Sequence, residues 1–430
     1  MITSPVWCGK RFAVLGLARS GVAAVRALLA GGADVVAWDL DPAKREALPG
    51  ASGLTFADPE ATGLIGFDGL VVSPGVPLNR HPIVAKAREA GVQIVGDIEL
   101  FAQARAMLSP AKVVGITGTN GKSTTTALIF HILQAAGVPS LMGGNIGLPI
   151  LGEEPLPEGG VYVLELSSYQ IDLTYSLDCD VAVLLNITPD HLDRYDGFAG
   201  YAASKARLFA MQTGGHAVVI GIGDEASGDI ARSLSARAAD VIKIAPGTGM
   251  DQSRWPSLQG PHNAQNAIAA IAACEALGVS AQAIEAGLAS FAGLPHRMER
   301  VGERGGVVFV NDSKATNPES TAPALAAFDR VHWIVGGKAK GADLDACRPQ
   351  FGHVARAYTI GEAGPGFAAL LRDAMPVEEA RTLAVAVASA AAQAQPGETV
   401  LLSPACASFD QFSDFEQRGD MFRALVRALT

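Results

Sequence analysis

The stretch ITGTNGKSTT, residues 116–125, decides how this chain is read. An apolar run, Ala111-Lys112-Val113-Val114, precedes it, and an amphipathic run, Ala127-Leu128-Ile129-Phe130-His131-Ile132-Leu133, follows. That context predicts strand, tight turn, helix. Gly118 and Gly121 let the backbone curl until successive N–H groups face one anion, and the new helix adds its positive end. Gly118, Thr119, Asn120, Gly121, Lys122, Ser123 and Thr124 are the expected ATP loop, with Lys122 reaching the β- and γ-phosphates and Ser123 placed on magnesium. Ile116 stands where a phosphate loop usually carries its first Gly.

The 430 residues suffice for two or three domains with ample core, and 18% charged residues with 49% apolar ones describe a folded enzyme, not a disordered chain. A net charge of −10 and the lack of a basic run argue against nucleic acid as a partner. The five cysteines are scattered without metal-site spacing, the first residues lack a signal-peptide pattern, and no uncharged stretch is long enough to span a bilayer. The expectation is a reduced, cytoplasmic protein without membrane partners, acting as a monomer.

The fold class expected is α/β in three domains: a Rossmann-like domain over residues 1–98, a central phosphate-loop domain with a mostly parallel sheet over 99–294, and a second Rossmann-like domain over 295–430. In the first, Phe12-Ala13-Val14-Leu15, Asp34-Val35-Val36-Ala37-Trp38 and Leu70-Val71-Val72 read as strands, with Asp68-Gly69 as a turn. Gly16-Leu17-Ala18-Arg19-Ser20-Gly21 opens a helix through Ala30 but has Ala18 where the dinucleotide fingerprint wants Gly, which weakens any reading as a nicotinamide-dependent dehydrogenase. A diphosphate at that helix start, with Asp39 near a ribose or base, fits as well as a turn without ligand. In the second, Val161-Tyr162-Val163-Leu164, Val181-Ala182-Val183-Leu184-Leu185 and Ala217-Val218-Val219-Ile220 are strands buried on both faces, and residues 263–277 are a helix with Asn263 as its N-cap. In the third, strands are read at residues 307–310, 332–335, 357–360 and 400–402.

Polar residues follow several of these strands. Glu165 offers a hard oxygen for magnesium or is a plain strand-end carboxylate. His191 lies in a loop dense in ionisable groups and could bind a metal or be structural. On its own, Lys205 in residues 201–209 reads as a solvated charge on a surface helix. Arg297, the loop Asn311-Asp312-Ser313-Lys314-Ala315-Thr316-Asn317, and Lys338 with Lys340 bring cations to one segment, which suggests an anionic ligand.

Taken together, the ordered motifs resemble the Mur ligases, the ATP-dependent amino-acid ligases of peptidoglycan precursor synthesis, and most of all their D-glutamate-adding branch. Those motifs are ITGTNGKSTT, GGNIG (143–147), ELSSYQ (165–170), NITPDHLDRY (186–195), GPHNAQN (260–266), LPHRME (294–299), NDSKATN (311–317) and LLSPACASFDQF (401–412), with SPGV (73–76) and VGDIELF (95–101) pointing to the branch. The resemblance implies that D-glutamate is added to UDP-N-acetylmuramoyl-L-alanine through an acyl phosphate, at the cost of ATP; a sister ligase adding another amino acid, a folylpolyglutamate synthase and a non-catalytic ATP sensor are the alternatives. It implies UDP-substrate contacts at Gly16, Leu17, Ala18, Asp39, Ser73, Gly75 and Asn145. It implies two magnesium ions, one at Ser123 and Glu165, the other at His191 and a Lys205 carbamylated by carbon dioxide. A dry, cation-rich site that depressed the lysine pKa from about 10.4 would favour that modification. Asn263 and Asn266 would lie at adenine and Asp312 at ribose; Lys122, Arg297 and Lys314 would steady the transferred phosphoryl group, with His191 and Lys205 completing the catalytic set. Thr316, Lys340, Ser408 and Phe415 would receive D-glutamate. Leu40 and Asp41 do not supply the cation that some members place near the nucleotide, so uracil recognition differs locally.

Overall fold

The computed structural model describes residues 1–236, 241–245, 250–339, 341 and 343–429, with the backbone alone at residue 262. Lys340, expected at D-glutamate, lies outside them. Among the described residues the chain forms three sheets, one in each of three α/β domains.

The first sheet contains β1 (Arg11–Leu15), β2 (Asp34–Trp38), β3 (Leu54–Phe56), β4 (Gly69–Val72) and β5 (Ile94–Val95), all parallel, in the order β3-β2-β1-β4-β5. The order reverses between β1 and β4, which opens a crevice at the carboxyl ends of the strands. The helix Arg19–Ala30 follows β1, as the sequence predicts. The expected turn at Asp68-Gly69 is not there. The chain turns at Ile65-Gly66, and Gly69 already belongs to β4, where an added Cβ would stand 2.9 Å from the Phe12 ring. This glycine serves close packing; Asp68 accepts from the Arg11 N–H at 2.8 Å and so ties the two strand starts together.

The second sheet contains β6 (Lys112–Thr117), β7 (Ser140–Gly144), β8 (Val161–Glu165), β9 (Val181–Leu184), β10 (Ala217–Gly221) and β11 (Val241–Ile244), again all parallel, in the order β11-β10-β9-β6-β8-β7. β6 is central, so the loop that follows it emerges at mid-sheet. One apolar core runs through the first two sheets, and within it the Phe101 and Tyr162 rings meet edge to face at 4.9 Å. The helix Asp97–Arg105 reinforces that junction: the Glu99 carboxylate, nearly fully buried, accepts from the N–H groups of Tyr175 (2.7 Å) and Ser176 (2.9 Å) and from the Ser176 hydroxyl (2.8 Å). With Gln103 Nε2 at 3.3 Å, four donors on one carboxylate compensate its burial.

The third sheet contains β12 (Glu299–Arg304), β13 (Val307–Asn311), β14 (Val331–Gly336), β15 (Val354–Ile360), β16 (Val377–Arg381) and β17 (Thr399–Leu402), in the order β12-β13-β17-β14-β15-β16. Only the β12–β13 pair is antiparallel, joined through Gly305 and Gly306, both at positive φ as a two-residue hairpin requires. Two apolar clusters cover the two faces of this sheet. The chain divides into two compact units, one holding the first two sheets and residues 265–288, the other holding the third sheet and residues 247–264. Among the described residues no helix is long and apolar enough to cross a membrane.

Candidate active site

The phosphate loop forms as its sequence predicts. β6 is buried from Val113 to Thr117, Gly118 and Gly121 have φ of 149° and 86°, and the helix Lys122–Ala135 starts at once. Gly121 is doubly constrained, because a Cβ there would lie 2.3 Å from Asn266 Oδ1. Asn266 is thereby packed against the loop.

The loop is braced from the segment after β9. Thr119 N–H donates to the Asn186 carbonyl (2.9 Å), Asn120 N–H to Asn186 Oδ1 (2.9 Å), and Asn186 Nδ2 returns a bond to the Asn120 carbonyl (3.1 Å). Thr119 Oγ1 donates to the Thr188 carbonyl and accepts from the Thr188 N–H, at 3.1 and 3.0 Å. Sequence reasoning assigned no role to Asn186 or Thr188. Their position just past an apolar strand adjoining β6 was the available signal.

Two amines converge on one carbonyl. Lys122 Nζ donates to the carbonyls of Gly118 (2.9 Å) and Thr119 (2.8 Å), and Lys205 Nζ donates to the same Gly118 carbonyl at 2.9 Å. Lys205 lies on the helix Gly197–Ala210 and is 1% exposed, with its amine 4.6 Å from the centre of the Tyr201 ring. The solvated surface lysine suggested by residues 201–209 alone is therefore corrected: the stripe Tyr201, Ser204, Lys205, Leu208 faces inward. Burial, reinforced by the charge of Lys122, pushes the Lys205 pKa well below its ordinary value, with weaker opposition from Asp190 and Asp172.

Glu165 is the last residue of β8 and pairs with Ile116 of β6. It is 2% exposed; Oε1 accepts from Asn145 Nδ2 at 2.7 Å, and Oε2 is buried without a hydrogen-bond partner. Asn145, expected at the UDP substrate, is held to Glu165 a second time through its N–H, 2.8 Å from the Glu165 carbonyl. His191 is half-exposed with φ of 53°, its Nε2 3.4 Å from Asp190 Oδ2 and its ring 5.1 Å from that of Tyr169. Among the described residues no three His, Cys, Asp or Glu side chains form a metal cluster. A cation here would have to draw ligands from other groups, phosphate oxygens foremost.

At the first sheet, Gly16 N–H donates to the Trp38 carbonyl (2.8 Å), and Ser73 Oγ donates to the Gly16 carbonyl (2.9 Å). Asp39 accepts from the Leu17 N–H at 2.7 Å, the Asp41 N–H at 3.0 Å and Lys44 Nζ at 3.4 Å. Burial pushes its pKa up, but those three donors outweigh it and hold the carboxyl below its ordinary value. Gly16, Leu17, Asp39 and Ser73 thus meet at one crevice, next to Ala18, the N-cap position of the helix Arg19–Ala30; Gly75 is exposed in the loop beyond Ser73. Arg19, to which sequence reasoning gave no role, donates from Nη2 to the Gly147 carbonyl at 3.1 Å and joins this turn to the GGNIG loop.

In the second unit, Arg297 stands between two residues in left-handed backbone, His296 (φ 62°) and Met298 (φ 49°). Non-glycine residues adopt that conformation at a cost of about 1–3 kcal/mol each, and such strain gathers at ligand sites. Lys314 N–H donates to the His296 carbonyl (3.0 Å), and its amine stands 3.8 Å from the centre of the Phe415 ring. Asp312 is buried and accepts from Ser403 Oγ (2.8 Å) and the Met298 N–H (3.2 Å); burial, its largest influence, pushes its pKa up to about 7. Ser408 is buried and Thr316 and Phe415 half-buried, so Arg297, Asp312, Lys314 and Phe415 form one neighbourhood. Arg418, unnoticed in the sequence, is 1% exposed and binds Ser313 Oγ (2.9 Å), the Ser313 carbonyl (2.7 Å) and the carbonyls of Cys406 (3.1 Å) and Ala407 (3.3 Å), so that it locks the NDSKATN loop to the SPACASF loop. The sequence expectation for Asn263 as N-cap is corrected. The helix runs Pro261–Ala276, with Pro261 at its first position, where a missing N–H costs nothing, and Asn263 donates from within it to the Gln259 carbonyl at 3.1 Å.

Three family models cover most of the chain in order: Mur ligase MurD-like, N-terminal domain, over residues 10–96; Mur ligase middle domain over 116–256; and Mur ligase, glutamate ligase domain, over 296–406. The chain belongs to the Mur ligase family. Its similar relatives include proteins named UDP-N-acetylmuramoylalanine--D-glutamate ligase from Novosphingobium aromaticivorans, 64% identical with 100% of this chain and 97% of that one covered, and from Sphingopyxis alaskensis, 63% identical with both chains covered in full. The same name attaches to a 57% identical relative from Zymomonas mobilis, again over both full lengths. Among solved structures the fold is similar to a UDP-N-acetylmuramate-alanine ligase, MurC, from Thermotoga maritima, with TM-score 0.60, 16% identity and coverage of 97% of this chain and 99% of that one. It is also similar to MurF from Acinetobacter baumannii, with TM-score 0.60, 18% identity and coverage of 99% and 92%. The sister ligases therefore share the three-domain architecture, while the high-identity relatives carry the D-glutamate name; another amino acid is not favoured.

Proposed function

We propose that this chain is an ATP-dependent ligase that joins D-glutamate to UDP-N-acetylmuramoyl-L-alanine in peptidoglycan precursor synthesis, acting as a cytoplasmic monomer. The observation that carries the reading is the braced phosphate loop with Lys122 and a buried Lys205 both aimed at the Gly118 carbonyl. Full-length relatives at 57–64% identity supply the substrate class.

The reaction runs in two displacements. A carboxylate oxygen of the L-alanyl group attacks the γ-phosphorus of ATP, the bond to the β-phosphate oxygen breaks, and ADP leaves. The neutral amine of D-glutamate then attacks the acyl phosphate carbon, inorganic phosphate departs, and the amine gives up a proton as the amide forms. A carboxylate and a triphosphate repel each other, so the protein must supply positive charge and alignment. The 118–124 loop cradles the phosphates with its N–H groups, and Lys122 follows the charge on the γ-phosphoryl group. Arg297 and Lys314 neutralise the same group, Asp312 accepts from the ribose, and Asn263 and Asn266 meet the adenine. Thr316, Lys340, Ser408 and Phe415 receive D-glutamate. The UDP part binds along Gly16, Leu17, Ala18, Asp39, Ser73 and Gly75, with Asn145 reaching the substrate from its place on Glu165.

Two magnesium ions suit the residues present. Glu165 Oε2 is a buried carboxylate oxygen lacking a protein partner, a costly arrangement unless a cation meets it. Ser123 and Glu165 would hold one ion, His191 and a carbamylated Lys205 the other. Bound there, magnesium neutralises phosphate charge and fixes the nucleotide's orientation. Carbamylation adds the neutral Lys205 amine to carbon dioxide with loss of one proton, and the depressed pKa of this buried amine supports it.

The deciding assay is phosphate release with ATP, magnesium and UDP-N-acetylmuramoyl-L-alanine, comparing D-glutamate, L-glutamate, L-alanine and meso-diaminopimelate. Release that requires D-glutamate, with the amide product seen by mass, is the expected result; release with another amino acid instead would overturn the substrate assignment.

A further inference from the structure

The segment 186–195, which carries His191, is tied at both ends to other parts of the chain. At its start, Asn186 and Thr188 brace the phosphate loop, and the Ile187 N–H donates to Asp224 Oδ2 at 3.0 Å. At its end the partners belong to the first domain. Arg194 Nη2 donates to the Val76 carbonyl at 2.8 Å, and the Asp193 carbonyl accepts from Asn79 Nδ2 at 2.9 Å and Arg80 Nη2 at 3.3 Å. Val76, Asn79 and Arg80 lie in the loop after β4, the loop whose Ser73 holds the Gly16 carbonyl. Between the two ends the chain turns tightly: His191 takes a φ of 53°, and the Arg194 N–H closes the turn on the His191 carbonyl at 2.9 Å. One ring backs this turn. From the centre of the Tyr169 ring the Arg194 guanidinium lies 4.4 Å away, the His191 ring 5.1 Å and the stacked Tyr195 ring 6.0 Å.

We propose that Arg194 is a positioning residue: it fixes the His191 turn to the loop that holds the nucleotide, so that binding in the first-sheet crevice sets the geometry beside the phosphate loop. The inference rests on the ligase reading above and adds how its two half-sites are kept in register. The substrate of that reading binds through its nucleotide at the first sheet and reacts through its carboxylate at the second, so the span between the two has to be held. A misplacement of about 1 Å costs on the order of a hundredfold in rate. A guanidinium suits the task, because it offers its donors in a rigid plane. Here the edge of that plane takes a carbonyl of the first domain, and its face takes an aromatic ring of the second. Had the turn needed closure alone, the Arg194 N–H on the His191 carbonyl would supply it; the side chain is spent on the neighbouring domain instead. Left-handed backbone at a residue such as His191 persists where its surroundings over-determine it, and the bonds from Arg194, Asn79 and Arg80 are such surroundings.

The test uses the full chain and its Arg194→Ala and Arg194→Lys variants. Amide hydrogen exchange is followed with and without UDP, with ADP in constant excess to occupy the phosphate loop. In the wild type UDP should slow exchange at residues 16–21 and 73–80, and also at 186–195, by about fivefold, the lower end of ordinary coupling between sites. In Arg194→Ala the first two segments should still be protected and 186–195 should not. The kcat should fall by about tenfold to a hundredfold, while UDP affinity, which the coupling bounds, should change by no more than about fivefold. Arg194→Lys keeps a charged donor for the Val76 carbonyl without the plane over Tyr169, and should regain part of both the protection and the kcat. If Arg194→Ala keeps the UDP-dependent protection at 186–195, or the wild type lacks it while 16–21 and 73–80 are protected, the positioning role is wrong and the ligase reading stands. If UDP protects neither 16–21 nor 73–80 in the wild type, both fall. Should Arg194→Ala not bind UDP at all, the same comparison on Arg194→Lys decides: protection at 186–195 equal to the wild type would overturn the proposal, and a reduced one would support it.

Discussion

Replacing Lys205 with Met should make the ligand-free protein more stable and at the same time inactive. Methionine matches the volume of the stem, and the Gly118 carbonyl keeps the Lys122 amine as donor, so little packing or hydrogen bonding is lost. What disappears is an amine whose charged form is disfavoured by burial and by Lys122. The sign follows from linkage. The folded pKa lies well below the unfolded value of about 10.4, so between the two the unfolded chain binds one more proton, and wild-type stability rises with pH. The slope approaches 2.303RT, somewhat more than about 1 kcal/mol per pH unit, and vanishes above the unfolded pKa and below the folded one. The variant has no such group. Its advantage over the wild type should therefore shrink by about 1 kcal/mol for each unit between pH 9 and 10, since all other titrations cancel in the difference. Denaturant midpoints of the two proteins in magnesium-free, carbon-dioxide-free buffer across pH 8 to 10 measure it. A difference that stays constant over that range would refute a depressed amine, and with it the physical case for carbamylation.

Glu165→Gln keeps an oxygen for Asn145 but removes the charge behind the unpartnered Oε2, so the magnesium requirement should rise by about tenfold or more with the thermal midpoint little changed; an unaltered magnesium titration would contradict a cation at this carboxylate. Asp312→Asn should stabilise the third domain in neutral and alkaline solution. Burial has raised the wild-type pKa to about 7, so wild-type stability falls as pH climbs from about 4 to 7, and the gap between the two proteins should close near pH 4. Denaturation at pH 4, 6 and 8 reads this, and a gap independent of pH would be the contrary result. Arg418→Ala leaves a hydroxyl and three carbonyls without their buried donor and should cost about 3 kcal/mol or more, lowering the calorimetric transition of the third domain; a loss under about 1 kcal/mol would mean that the two loops hold each other without it.

Much of the candidate site was legible because its chemistry is local. The loop at residues 116–125 is a run of consecutive residues whose glycines set the turn through spacing alone, and its strand–turn–helix form is the one read. Asp39, Ser73 and Asp312 likewise follow strands whose ends were visible. Lys205 shows the opposite case. Its helix has no feature that separates a buried stripe from a wet one by composition, and only the resemblance pointed inward; the surroundings contributed by Tyr201 and the Gly118 carbonyl supply the reason. Arg418 carried no sequence signal, because it acts mainly on backbone carbonyls that any residue could present.

The strands divide along the same line. Among the described residues, the eleven read from apolar runs are β1, β2, β4, β6, β8, β9, β10, β13, β14, β15 and β17, and each has a neighbour on both sides. The six that escaped notice, β3, β5, β7, β11, β12 and β16, are the two edges of each sheet. An interior parallel strand is covered above and below by helices, and its sequence must be apolar throughout; an edge strand borders solvent, tolerates charge as in Glu299–Arg304 and Val377–Arg381, and owes its conformation to the neighbour it pairs with. The sequence by itself thus determined three α/β domains, their buried strands and the strand–turn–helix form of the loop at residues 116–125, since burial and backbone geometry constrain residue type directly. Tertiary structure decided where the sheets end, that Lys205 sits dry beside Lys122, and that Arg418 reaches Ser313, since these are pairings between distant residues that composition does not encode.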